Sequence, residues 1–291
     1  MSSFALKWLA LAAMLIDHVT AVLYRCGLLP RALKTALRAV GRLAFPIFAW
    51  QAAQSWRHTA DRARHLRRLM LGAIASAVPY ALAFTTGEGT LFAFSIGGWK
   101  WLGAAAGLAA VCFGAWTESP EPDRLKTTLL AAITALVPLA VVRVGSVNLL
   151  GGTQSIFYTM LGAMLACSLL DGGQKKTPAG WLWRITALAA LLWCFRFDYG
   201  IRGIFLICAF FLFPARKTAW IAAVAVFGAW SAQRSGWSTD SLIYLLGYCA
   251  ALIPLLLSDG SRGSGPRRLF YIFYPAHLAV LGVIQQLLLR L

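Results

Sequence analysis

The stretch KWLALAAMLIDHVTAVL, residues 7–23, has the length and apolar character of a bilayer crossing, yet it carries Asp17 and His18 deep inside it. A charge at that depth costs several kcal/mol unless it is buried against protein. At about 1.5 Å and 100° per residue, the step from Lys7 to His18 makes roughly 16 Å of helix and returns to nearly the same face. Lys7 is therefore expected at the membrane surface, with His18 below it near mid-bilayer. Asp17 stands one residue off that stripe and cannot pair with His18 along it. Its partner is expected on another helix.

Composition carries the same reading along the whole chain. Of 291 residues, 59% are hydrophobic and 13% charged, whereas a soluble domain carries about 25% charged residues. The apolar residues fall in runs of helical length separated by short charged or Gly/Pro-rich breaks. The expected fold is an all-α polytopic membrane protein, a bundle of about 10–11 transmembrane helices forming a single integral-membrane domain over residues 1–291. The net charge of +17 does not point to nucleic acid, because excess Lys and Arg in such a chain fix topology and touch anionic headgroups. Cys26, Cys112, Cys167, Cys194, Cys208 and Cys249 are far apart and form no C-x-x-C, so neither a metal site nor a disulfide framework is indicated. The first span has no A-x-A cleavage site and reads as retained.

The spans are expected at 7–23, 43–56, 69–84, 99–116, 125–142, 156–170, 181–197, 203–213, 219–231, 242–257 and 269–289. The eighth is short for a crossing and is either a half-helix or a continuation of the seventh. With the N-terminus inside, 16 of the 27 cations fall on the cytoplasmic side, a modest positive-inside bias. They include Lys7, Arg57, Arg62, Arg64, Arg67 and Arg68, then Lys175, Lys176, Arg262, Arg267 and Arg268. The segment RALKTALRAVGR, residues 31–42, has basic residues at helical spacing and is expected along the interface. No linker divides the chain; the loops ESPEPDRLK and SDGSRGSGPRR are too short to separate domains.

Chemistry is expected where ionisable groups converge. His277 follows Arg268 by nine residues in the last span, which places it about 13 Å deep, nearly level with His18. Two imidazoles and Asp17 at similar depth can line one cavity; the plainer reading is that each His bonds a backbone carbonyl on a neighbouring helix. Tyr274, three residues before His277, can donate to a reacting oxygen or simply pack. The cluster WRHTADRARHLRR, residues 56–68, suits either a phosphate cradle or an interfacial helix held by headgroups. In FRFDYGIRG, residues 195–203, Asp198 and Arg202 are four apart, the spacing of a helical ion pair.

Read together, the DH pair in LIDHVTAVLY, GRLAFPIF at 41–48, His58–Thr59, RRLML from Arg67, FDYGIRGIFLI from Phe197 and FYIFYPAHL at 270–278 make the chain resemble the TraX family over almost its whole length. The resemblance implies acetylation of the N-terminal amine of a conjugative pilin, with acetyl-CoA as donor, in the bacterial inner membrane. The chain is also similar to the wider transmembrane acyltransferase superfamily, in which a basic residue and a His ten residues further along the first helix mark the donor site. Lys7 stands where Arg is commoner and offers no bidentate fork.

On that resemblance, CoA phosphates rest among Lys7, Arg67 and Arg68, and the pantetheine arm reaches down about 16 Å to His18. His18 is the expected base, with Asp17 or His277 orienting it or stabilising developing charge, and Tyr274 as a further donor. Asp198 is the expected hold for a cationic acceptor at the outer mouth. Expected partners are acetyl-CoA, a pilin or other envelope acceptor, and lipids. The alternatives are acetylation of a glycan hydroxyl, a proton-coupled transporter, and a pilus-assembly scaffold without catalysis.

Overall fold

The computed structural model describes residues 1–85, 88–171, 177–194, 196–261, 263 and 269–289. Lys175, Lys176, Arg262, Arg267 and Arg268, counted above among the cytoplasmic cations, and Phe195 of FRFDYGIRG lie outside the described residues. In chain order the elements are α1 (Ser3–Arg25), α2 (Arg31–Gly41), α3 (Ala44–His58), α4 (Arg62–Phe84), β1 (Leu91–Phe94), α5 (Lys100–Glu118) and α6 (Arg124–Leu136). They continue with β2 (Ala140–Val144), β3 (Val147–Leu150), α7 (Ile156–Leu170), α8 (Pro178–Cys194), α9 (Gly200–Leu212), α10 (Lys217–Arg234), α11 (Thr239–Ala250), α12 (Leu252–Leu256) and α13 (Leu269–Leu288). The protein is an all-α membrane protein with one small sheet. Among the described residues, four helices are long and apolar enough to cross a membrane: Ser3–Arg25, Arg62–Phe84, Thr239–Leu256 and Phe270–Leu288.

Helix starts follow local chemistry. Ser2 caps α1 by accepting from the Ala5 N–H at 3.2 Å, and Asp61 caps α4 by accepting from Arg64 N–H at 2.8 Å. Each expected span overlaps a helix, but the span expected over 242–257 is divided between α11 and α12, and that over 125–142 is not all helix. Pro138 sits in a 3-10 turn, Val137–Leu139, that ends α6, and the β-branched run that follows becomes β2. VVRVGSVNLL is a hairpin: β2 and β3 pair antiparallel around Gly145 and Ser146, and β1 pairs with β2 from the other side. The eighth span resolves as a separate helix, α9, entered through a turn in which Tyr199 has φ 61°.

The chain forms two compact units. The first comprises Met1–His58, Phe205–Phe273 and Val283–Leu291; the second comprises Thr59–Ile204 and Tyr274–Gly282. In the first, aromatic rings fill the centre: Phe45 and Phe227 lie 5.2 Å apart, Phe227 and Tyr248 4.9 Å, and Phe48 and Phe270 4.8 Å. In the second, α5 packs on α8, with Gly107 against Ala190 and Gly114 against the Trp183 ring.

The close approach of α2 to α1 depends on Gly41. A Cβ there would lie 2.4 Å from Asp17 Cβ, a separation no packed pair of carbons tolerates. Gly41→Ala is therefore expected to push the two helices apart at a cost of about 1–3 kcal/mol, the usual range for overpacking. Thermal unfolding of the detergent-solubilised protein checks this: the variant should melt several degrees lower, and an unchanged midpoint would contradict the tight α1–α2 seam.

Candidate functional site

In the first unit the site is built on α1. Asp17 is 7% exposed, buried as its position in an apolar helix demands. Its partners come from α2: Arg38 Nε donates to Oδ1 at 2.9 Å, and Arg42 Nη1 lies 3.6 Å from Oδ2. The Arg42 guanidinium also lies over the Tyr244 ring, 5.0 Å from its centroid, and over Tyr248 at 5.9 Å. The other half of the α2 basic stripe is bound as well. Arg31 Nε and Lys34 Nζ reach Asp240 Oδ2 at 3.2 and 3.5 Å, and Thr35 donates to Oδ1 at 3.1 Å.

The basic face expected along the interface is thus turned toward protein carboxylates, while Leu33 and Val40 on the opposite side are exposed. Asp17 does have the partner on another helix that its position required. His18 is half-buried beside this clamp and feels the Asp17 carboxylate. Lys7, half-buried, stands eleven residues earlier on the same helix. The helix itself runs Ser3–Arg25, so His18 lies about 22 Å from its N-terminal end and about 10 Å from its C-terminal end.

In the second unit, two chain segments are stitched together just before two short helices. The Gln154 N–H donates to Arg196 O at 2.7 Å and the Asp198 N–H to Gln154 O at 2.9 Å, a parallel bridge joining the entrance of α7 to that of α9. The Thr159 hydroxyl donates to the Asp198 carbonyl. Asp198 itself lies in the turn before α9, and Arg202 lies in the first turn of that helix.

Around this turn gather the remaining site candidates. Tyr80, on α4, is buried and lies within the field of the Asp198 carboxylate. Tyr274 lies within the field of Asp198 and Tyr199. Phe157 and His277 each meet the Tyr274 ring edge-on, at 5.3 and 5.6 Å. Tyr274 and His277 are both buried. The structure therefore brings Asp198, Tyr274 and His277 together in one unit, and places Lys7, Asp17 and His18 in the other. Tyr80 escaped the sequence reading, since a Tyr after Pro79 in an apolar helix carries no mark of its own.

The basic cluster over 56–68 is largely occupied by internal bonds. Arg57 donates to Phe211 O at 2.8 Å, Arg62 meets Asp171 at 2.6 Å, and Arg64 meets Asp61 at 3.1 Å. Arg67, one of the expected phosphate ligands, is held by Asp123 at 2.5 Å and by Thr127 at 3.3 Å. Arg68, the other, is exposed, with the buried His65 beside it. All six cysteines carry thiols and not disulfides.

A helical membrane protein with an ion-paired aspartate beside a histidine in its first helix, and a carboxylate–tyrosine cluster at the entrances of two short helices, is the class this geometry defines. The chain belongs to the TraX family: it matches the family described as TraX protein over residues 2–99 and 124–285. Both clusters lie within the matched residues, whereas α5 lies outside them. No curated protein and no solved structure matches the chain.

Removing one member of a buried ion pair strands its partner, at a cost of about 3–5 kcal/mol. Asp17→Ala should accordingly lower the melting temperature steeply. The exchange Asp17→Arg with Arg38→Asp should recover part of the loss, because it restores opposite charges across the seam. Circular dichroism melts of the three proteins decide this, and a stable Asp17→Ala protein would take the clamp out of the structural account.

Proposed function

We propose that the protein is a membrane-embedded acetyltransferase that takes an acetyl group from cytoplasmic acetyl-CoA and delivers it to an acceptor at the outer face of the bacterial inner membrane, the N-terminal amine of a pilin. The observation that carries this reading is His18, half-buried in an apolar helix next to an ion-paired carboxylate, with Lys7 about three turns earlier on the same stripe. Membership of the TraX family, with its link to conjugative pilin, supports the acceptor class.

On this reading Lys7 in the first unit favours the donor's phosphates; in the second unit Arg68 is the cation exposed to an anion, since Arg67 is already engaged by Asp123. The acceptor arrives as an ammonium and loses one proton to water to become nucleophilic. Its nitrogen attacks the thioester carbonyl, and neutral His18 takes the second proton as the C–N bond forms. The C–S bond then breaks, and the departing CoA thiolate recovers that proton from the imidazolium, so that amide and CoA thiol leave and His18 returns to its neutral state. Asp17, held by Arg38 and Arg42, supplies a fixed negative charge that stabilises the imidazolium. In the second unit, Asp198 with Tyr274 and His277 around it is the hold for the acceptor's cationic group.

Thiol release from acetyl-CoA by the purified protein, in the presence of a short apolar peptide with a free N-terminal amine, tests the reading and separates it from a carrier or a scaffold, which release none. His18→Ala should lose roughly a hundredfold or more in rate, the usual loss on removing a general base. Lys7→Gln and Arg68→Gln should instead raise KM for acetyl-CoA with little change in kcat, since phosphate contacts far from the reacting carbon bind ground and transition states alike. A His18→Ala protein that keeps more than about a tenth of the rate would remove His18 from the base role.

A further inference from the structure

We infer that residues 31–58 form a single membrane crossing in two half-helices, kinked at Arg42–Leu43, and that the apolar face of α2 lies against lipid acyl chains instead of along the membrane surface. The inference goes beyond the proposed chemistry and does not depend on it. Three contacts set the register of this segment on α1. Lys34 Nζ sits over the Tyr24 ring, 4.9 Å from its centroid; Gly41 abuts Asp17; and Gln51 Nε2 donates to Ser3 O at 3.0 Å. As the positions rise through Lys34, Gly41 and Gln51, their partners fall through Tyr24, Asp17 and Ser3, so the segment runs antiparallel to α1 from end to end. α1 is one of the helices long and apolar enough to cross a membrane. At about 1.5 Å per residue, α2 is about 16 Å long and α3 about 22 Å. Neither spans a hydrocarbon core of roughly 30 Å, whereas the two in line do.

The kink has its cause in GRLAFPIF, residues 41–48. Pro46 has no N–H to offer the Arg42 carbonyl four residues earlier, and its ring crowds that carbonyl, so a continuous helix fails there. In the first turn of a new helix, where N–H groups lack helical partners anyway, the same Pro is tolerated, and α3 starts at Ala44. The turn between the halves is closed by the chain itself, as backbone in the apolar layer requires. The Arg42 N–H bonds the Arg38 and Ala39 carbonyls at 3.0 and 3.2 Å, and the Leu43 N–H bonds the Val40 carbonyl at 3.2 Å. The faces of α2 set its neighbours. A helix lying on a membrane surface turns its cations to water and headgroups. In α2 the reverse holds: Lys34 and Arg38 turn to Asp240 and Asp17, while Ala32, Leu33, Ala36 and Val40 are exposed. Ile16 and Val40, which adjoin the Asp17–Gly41 contact, are both exposed, so the apolar exterior of α1 continues onto α2 at that depth.

The test uses the full chain in phosphatidylethanolamine–phosphatidylglycerol vesicles. Leu28, Leu33 and Val40, all exposed, are replaced one at a time by p-acetylphenylalanine and coupled to a nitroxide, a chemistry that passes over the six cysteines. Oxygen concentrates in hydrocarbon and a nickel chelate stays in water, so the two collision rates report the depth of each label. The labels at Leu33 and Val40 should both favour oxygen, with Val40 about 10 Å the deeper and Leu28 nearest the headgroups. Equal, shallow depth at Leu33 and Val40 would mean a helix along the surface. Nickel access at both would mean a water-facing helix, and low rates for both probes a face covered by protein, such as a second copy of this chain. Each of these results would overturn the inference. The unsubstituted protein gives a second reading: on photolysis, a phospholipid carrying a diazirine at the end of an acyl chain should label residues 32–40. Label on α1 with none on that stretch would also overturn it.

Discussion

The structure of the first unit depends on one ion pair that an apolar helix cannot do without. Asp17 in the middle of α1 has to be neutralised by protein, and Arg38 and Arg42 do so from one face of α2. That requirement draws α2 against α1 closely enough that only Gly fits at position 41. The same helix is tied to α11 through Asp240, and Gly247 lets α11 approach the α2 backbone, where a Cβ would lie 2.2 Å from the Ala39 carbonyl. A segment of eleven residues thus locks three helices, and its cations do so because their long stems reach carboxylates on either side. His18 gains a fixed electrostatic neighbour as a by-product of the packing.

The second unit meets a different constraint. At about 1.5 Å per residue, α9 is about 20 Å long and α7 about 22 Å, both shorter than a hydrocarbon core of roughly 30 Å. Non-helical backbone at such helix ends is tolerated in a membrane only where protein satisfies it. The Gln154–Phe197 bridge and the Thr159 hydroxyl do this for the turn that carries Asp198. Tyr199 at positive φ is the strained residue of that turn, a conformation a bulky side chain holds only where the surroundings fix it. Short helices meeting at a polar turn are the arrangement membrane proteins use to present ionisable groups at depth.

Much of this was legible in the sequence for physical reasons. Runs of helical length located the spans, and the spacing of Arg31, Lys34, Arg38 and Arg42 located α2. The depth of Asp17 required a partner on another helix, yet nothing local named Arg38 and Arg42, whose charges suit lipid headgroups equally well. The hairpin VVRVGSVNLL carries a Gly-Ser turn between β-branched runs, but its apolar character makes it continuous in sequence with the preceding helix, and only the turn at Pro138 separates the two. Asp198, Tyr274 and His277 could be singled out one by one as ionisable or polar groups in apolar context. Their meeting, and the part of Tyr80 in it, belongs to tertiary structure: four residues from three distant segments with no shared period.

The central claim, that an acetyl group is moved across the apolar layer from a donor on one side to an amine on the other, is tested most directly in sealed vesicles of known orientation. Acetyl-CoA labelled in its acetyl group is supplied only at the cytoplasmic face, and a membrane-impermeant acceptor with a free N-terminal amine is confined to the opposite face. The account predicts labelled amide on the acceptor, dependent on His18, with CoA remaining on the donor side. Label appearing only when acceptor and acetyl-CoA share a side would contradict it.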